Sequence, residues 1–155
     1  WKAGVEVLCF GGTKNGMPVG DAIVIFDRRL AEDFEYRCKQ AGQLASKMRF
    51  IAAPWVGLLE SGAWLEHARH ANARAAQLES GLREVEGVEI LVSTEANAVF
   101  AQLPVAVAEG LPERGWHYYT FIGSGGARFM CSWDTSEEDV AALLRAVREL
   151  ASKTR

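Results

Sequence analysis

Apolar residues in this chain come first as short unbroken runs, then at helical intervals, then as runs again. Val5 to Phe10, interrupted only by Glu6, reads as a buried strand, and it empties into the small-residue turn Gly11-Gly12-Thr13-Lys14-Asn15-Gly16. Asn15-Gly16 is a turn pair, and Ala22 to Phe26 is a second apolar run of strand length. Leu30, Phe34, Cys38, Ala41 and Leu44/Ala45 recur at helical spacing and predict a helix over 29–43. The stretch 44–53 reads as helical too, with Pro54 ending or kinking it. Leu65, Ala68, Asn72, Ala75, Leu78, Leu82 and Val85 step by three or four, so they form the apolar stripe of one long helix over 63–85, stopped by Gly87.

From Val88 the period changes. The runs 88–92 and 98–103 are strand-length and joined by a polar turn, and a short helix over 105–110 is closed by Leu111-Pro112 and Gly115. Two more strands, 116–122 and 127–133, flank the glycine-rich Gly123-Ser124-Gly125-Gly126. The last helix opens at Asp134, with Thr135 and Glu138 at capping-box spacing, and Val140, Leu143, Leu144, Val147 and Leu150 supply its buried stripe. The pattern is that of an α/β protein whose second half is a small α+β layer, with the long helix as the bridge between halves.

With 155 residues, 49% of them hydrophobic, the chain is the size of one domain with one core. The net charge of -3 and the scattered lysines and arginines describe an ordinary surface with no nucleic-acid footprint. No apolar run approaches the roughly 20 residues that span a bilayer, and no signal-peptide pattern is present. Cys9, Cys38 and Cys131 are widely spaced without C-x-x-C, and read as reduced, mostly buried thiols of a cytoplasmic protein. The chain begins at Trp1, without a methionine, and reaches a buried-type strand almost at once, which suggests a portion of a longer protein.

Lys14 is the first chemical candidate. An amine held between two buried strands is costly to desolvate unless it is paired, deprotonated or covalently used, and burial lowers its pKa toward the neutral form that attacks carbonyls. An ordinary hairpin turn with a solvated lysine at its tip has the same composition. Arg128 opens the apolar strand Phe129-Met130-Cys131, where a guanidinium needs an anionic partner or reaches solvent. Arg49 sits in Ser46-Lys47-Met48-Arg49-Phe50 among apolar residues, and a buried arginine wants an anion. Thr13 either binds a phosphate or caps the turn. His67 and His70, three apart, could chelate a metal, but nothing accompanies them and they fall opposite the Leu65 stripe, so they read as a solvated face with no metal site. His117 reads as a strand residue, and 123–126 as a close-approach turn in place of a P-loop.

The words around these residues carry more. Phe10-Gly11-Gly12-Thr13-Lys14-Asn15-Gly16, then Phe34-Glu35-Tyr36-Arg37-Cys38-Lys39-Gln40-Ala41-Gly42-Gln43, then Ser46-Lys47-Met48-Arg49-Phe50 and Tyr119-Thr120-Phe121-Ile122-Gly123-Ser124-Gly125-Gly126-Ala127-Arg128-Phe129 closely resemble the pyridoxal-phosphate-dependent low-specificity L-threonine aldolases. The resemblance covers nearly the whole chain. It implies the fold type I, PLP-dependent transferase-like architecture, with 1–62 as the end of the large cofactor domain, 63–87 as the connecting helix and 88–155 as the small C-terminal α+β domain.

The resemblance also implies roles. Lys14 would bind pyridoxal 5'-phosphate as a Schiff base, and a β-hydroxy-α-amino acid such as threonine or allo-threonine would be cleaved to glycine and an aldehyde. Arg128 would grip the substrate α-carboxylate. Arg49 and Thr13 would lie by the cofactor phosphate, although relatives more often carry glycines before the Met-Arg pair. Groups that stack on the ring and pair with its nitrogen lie upstream of the lysine in this family and have no counterpart here, so these residues alone would turn over little. Family sites are completed across subunits, which implies a homo-oligomer, a dimer or a tetramer. Another fold type I lyase, such as a β-eliminating lyase, and a non-catalytic α/β interaction module are the alternatives.

Overall fold

The computed structural model describes residues 1–122 and 125–153. They form two compact units, Trp1–Trp64 and Leu65–Arg155.

In the first unit β1 (Val7–Gly11) and β2 (Asp21–Ile25) pair antiparallel, Val7 opposite Ile25 and Gly11 opposite Asp21. Between them Thr13–Asn15 make one 3-10 turn, closed by Gly16 at φ 92, a conformation that favours glycine. The expected helix over 29–43 is split. Asp27 accepts a hydrogen bond from the Arg29 N–H and caps a 3-10 turn over Arg28–Ala31, Asp33 takes φ 56, and α1 occupies only Phe34–Gln40. Aspartate tolerates the left-handed conformation, so the chain breaks there at low cost.

The stretch 44–48 is not helical as expected, because Lys47 has φ 59, and α2 starts at Arg49 and runs to Glu60. Pro54 neither ends nor begins it: in the second turn a proline forfeits a single backbone bond, the one to Phe50, and the helix continues. Ser61 then turns the chain, its hydroxyl donating to the Gly57 carbonyl at 2.6 Å and accepting from the Ala63 N–H, with Gly62 at φ 76.

In the second unit the packed part of α3 (Ala63–Arg83), α4 (Val105–Glu113) and α5 (Glu137–Ser152) cover one face of a four-stranded antiparallel sheet. Its strands are β3 (Glu89–Val92), β4 (Ala98–Gln102), β5 (Tyr119–Ile122) and β6 (Gly126–Met130), in the order β3-β4-β6-β5. Val99 and Ala101 of β4, with Ala127 and Phe129 of β6, point at the helices and are buried with Leu82, Leu111 and Val147. The alternate residues form the other face, and one row crosses all four strands: Val92 opposite Phe100, Phe100 opposite Arg128, Arg128 opposite Tyr119. All five α5 stripe residues are buried.

Three expectations shift. The buried face of α3 is Ala71, Ala75, Leu78 and Leu82, whereas Leu65, Ala68 and Asn72 are exposed. Of the histidines, His67 is half-buried against the Trp133 ring, centroids 5.5 Å apart, whereas His70 is exposed as expected, its Nε2 2.7 Å from the Thr135 carbonyl. The carbonyl can only accept, so the proton is on that nitrogen. The capping box uses Ser136 and Asp139, one residue later than expected: Asp139 N–H donates to Ser136 Oγ at 3.0 Å, and the Ser136 N–H donates to Asp139 Oδ2 at 2.9 Å. Thr135 instead accepts from the Ser132 N–H.

Of the cysteines only Cys131 is buried, and burial pushes its thiol pKa up; Cys38 is half-buried and Cys9 exposed. The 123–126 turn lies partly outside the described residues.

Candidate active site

The lysine turn is built on a floor of aromatic rings. Phe10 of β1 meets Trp55 of α2 edge-on at 5.2 Å and Trp64 at 5.8 Å. Gly12 is buried over this floor, so close that a Cβ there would stand 2.7 Å from the Gly20 carbonyl oxygen and 2.8 Å from the Trp55 ring. Only glycine lets the backbone come that near. Its N–H donates to Gly20 O, and its own carbonyl accepts from both Asn15 and Met17 N–H groups. Asn15 Nδ2 reaches the Trp64 carbonyl at 3.1 Å, and Met17 is buried beneath. The turn is thus tied to its surroundings through the Gly20 and Trp64 carbonyls and the Trp55 ring, while Thr13 and Lys14 stay exposed.

The expectation of a buried amine is corrected: Lys14 is exposed, as is Thr13. The reason is local. Among the described residues β1 and β2 pair only with each other, and Val7, Leu8, Ile23 and Val24 are exposed instead of covered. The lysine amine makes no hydrogen bond or ion pair within the described residues.

Arg49 is also exposed, not buried as read from its neighbours, because α2 begins there and Phe50 beside it is itself 71% exposed. It forms no hydrogen bond or ion pair within the described residues. Lys14, Thr13 and Arg49 therefore share the first unit, and Arg128 belongs to the second.

Arg128 is half-buried on the sheet face opposite α3, α4 and α5, its guanidinium carbon 5.4 Å from the centre of the Tyr119 ring. His117, Tyr118, Tyr119, Arg128 and Met130 line an open cavity of about 330 Å³. Tyr118 turns to the opposite face, packs on Phe129 and donates its hydroxyl to the Ala108 carbonyl at 3.0 Å. That desolvation raises the Tyr118 pKa. No group of three His, Cys, Asp or Glu side chains placed to hold a metal occurs among the described residues.

Sequence reasoning missed the roles of Asn15, Trp55 and Tyr119. The Asn15-Gly16 pair signalled a turn but not the anchor 49 positions away, and alternation along β5 and β6 would have placed Tyr119 beside Arg128 had the register been known.

The fold is the α/β architecture of fold type I. The structure superimposes on threonine aldolase from Leishmania major with a TM-score of 0.83, over 95% of this chain and 44% of that one, at 24% identity, which establishes the fold. Glycine decarboxylase, the P-protein of the glycine cleavage system, aligns at a TM-score of 0.55 and 23% identity, over 93% of this chain and 34% of that one. The profile of the family described as Beta-eliminating lyase matches residues 2–105, and the chain belongs to that family. It is 63% identical over 152 residues to a low specificity L-threonine aldolase of Pseudomonas sp. (strain NCIMB 10558), covering 98% of this chain and 44% of that protein. It is 64% identical over 148 residues to another of Pseudomonas aeruginosa, covering 96% and 43%. The chain thus spans less than half the length of these curated relatives.

Proposed function

We propose that this chain carries the lysine-bearing and C-terminal part of a pyridoxal-phosphate-dependent threonine aldolase, which cleaves β-hydroxy-α-amino acids such as L-threonine and L-allo-threonine to glycine and an aldehyde. The observation that carries the reading is the Lys14 amine: exposed, uncommitted to any partner within the described residues, and mounted on a turn anchored by Asn15 and by the close approach of Gly12 to the Trp55 ring. Identity of 63% and 64% to two proteins named low specificity L-threonine aldolase supports it.

The residues present fit the cofactor. An aldehyde needs a free amine at a fixed place, and the buried glycine contact under the turn provides the fixity while the exposed side provides the access. Pyridoxal phosphate, when bound, supplies that aldehyde and an electron sink for charge developing at the substrate Cα. Lys14 would hold it covalently. Thr13 would offer its hydroxyl, and Arg49 its guanidinium, to the phosphate.

Arg128 would bind the substrate α-carboxylate through two parallel N–H groups, a geometry that a lysine at this position could not reproduce. Holding the carboxylate fixes the Cα and thereby which of its bonds is set to break, which is an orientation effect and not a proton transfer. In this reading residues 1–62 complete the large cofactor domain, 63–87 connect, and 88–155 form the small domain. A homo-oligomer in the cytoplasm is part of the same reading; among the described residues no helix is long and apolar enough to cross a membrane.

The test is Lys14→Ala in the full-length protein. We expect it to abolish borohydride trapping of the cofactor and nearly all aldehyde release from threonine, allo-threonine and phenylserine; retention of both overturns the assignment. Aldehyde release by the unsubstituted protein separates an aldolase from a β-eliminating lyase, which would release a 2-oxo acid from other amino acids.

A further inference from the structure

The row Phe100, Arg128, Tyr119 places Arg128 between two aromatic residues on the sheet face opposite α3, α4 and α5. Tyr119, from β5, one of the two edge strands of the sheet, sets its ring against the guanidinium at 5.4 Å. Tyr119 is 69% exposed. Its hydroxyl has no hydrogen-bond partner within the described residues, so the ring face is what the structure uses.

An arginine on an open sheet face has four rotatable side-chain bonds and many rotamers, and an anion that needs a bidentate grip must first freeze them. A ring face stacked on the guanidinium removes part of that freedom beforehand and leaves the N–H edge directed outward. Here Arg128 lines a cavity of about 330 Å³ together with His117 and Met130.

We infer that Tyr119 is the positioning residue of Arg128: its ring, stacked on the guanidinium from the neighbouring strand, presents the arginine fork in the orientation that takes a carboxylate. The inference rests on the reading of Arg128 as the substrate-carboxylate grip. Tyr119 does not itself touch the carboxylate; it acts through Arg128. The ring face suffices, so phenylalanine can replace tyrosine.

The experiment is a double-mutant cycle in the full-length protein loaded with pyridoxal phosphate. Glycine affinity is read by calorimetry, and KM and kcat for threonine are read separately. Tyr119→Leu is expected to weaken glycine binding and raise KM about three- to five-fold, with kcat nearly unchanged. Tyr119→Phe restores the affinity, and in an Arg128→Leu background Tyr119→Leu has no further effect. If Arg128→Leu leaves glycine affinity unchanged, the carboxylate reading itself falls and takes this inference with it. If Arg128→Leu weakens binding but Tyr119→Leu does not, or weakens it equally in both backgrounds, the positioning role alone is overturned. The thermal transition of each variant verifies that it folds.

Discussion

Asn15 Nδ2 donates to the Trp64 carbonyl at 3.1 Å, joining the lysine turn to a backbone group 49 positions further on. The residue next to the candidate nucleophile is therefore its anchor, and the nucleophile's place is set by a neighbour and not by its own contacts. Asn15→Ala leaves a partly buried carbonyl without its donor. A loss of about 1–2 kcal/mol in unfolding free energy is expected, measured by denaturant titration, with faster amide exchange at 13–16 than elsewhere in the hairpin.

Gly12→Ala acts on the same turn by sterics. The new methyl would meet the Gly20 carbonyl oxygen at 2.7 Å and the Trp55 ring at 2.8 Å, and neither is the loose end of a flexible side chain. The backbone must shift, at about 1–3 kcal/mol. The full-length variant should keep its helical circular dichroism while its borohydride-trapped lysine yield falls; an unchanged yield with unchanged stability would count against the turn as drawn.

In the second unit Gly81 of α3 faces Leu144 of α5, and a Cβ there would clash with the Leu144 side chain. An alanine gains about 1 kcal/mol of helix propensity but overpacks a core in which Leu144 is 7% exposed. Gly81→Ala should lower the melting temperature despite the better helix former. Combined with Leu144→Ala it should cost less than the sum of the single changes, because the methyl then fills part of the space vacated.

Glu79 gives a pH signature. The Thr94 hydroxyl and N–H, the latter donating at 2.7 Å, together with the Arg83 guanidinium, hold the Glu79 carboxyl below the usual glutamate value of 4.5. Its folded pKa is the depressed one, so its contribution is fully present above the unfolded value and is lost as pH falls through the folded one. Glu79→Gln should therefore flatten the decline of thermal stability below about pH 4.5, and leave its shape near pH 7 unchanged.

How much of this was legible in the sequence differs by element. The hairpin, the long helix, the antiparallel small sheet and the stripe of α5 follow from periodicity, since each has enough repeats for the period to be unambiguous. The face of α3 does not: alanines dominate it, and with so little difference in hydrophobicity between Ala68 and Ala71 only packing decides which turns inward. The break at Asp33 and the left-handed Lys47 rest on single backbone angles, which no periodic pattern encodes. The capping box missed by one residue because Thr135-x-x-Glu138 and Ser136-x-x-Asp139 are both acceptable boxes, and Thr135 is occupied by Ser132. For the site, Lys14 was legible from its turn. Its exposure was not, because strand-length apolar runs imply cover that the described residues do not supply.

The same two-stranded hairpin has a practical consequence. β1 and β2 each present an outer rim of backbone N–H and C=O groups that no other described strand takes up, flanked by Leu8, Ile23 and Val24. Such rims recruit further strands from other molecules, so residues 1–155 produced alone should polymerise with rising concentration, and a lysine introduced at Ile23 is the simplest substitution to keep them monodisperse.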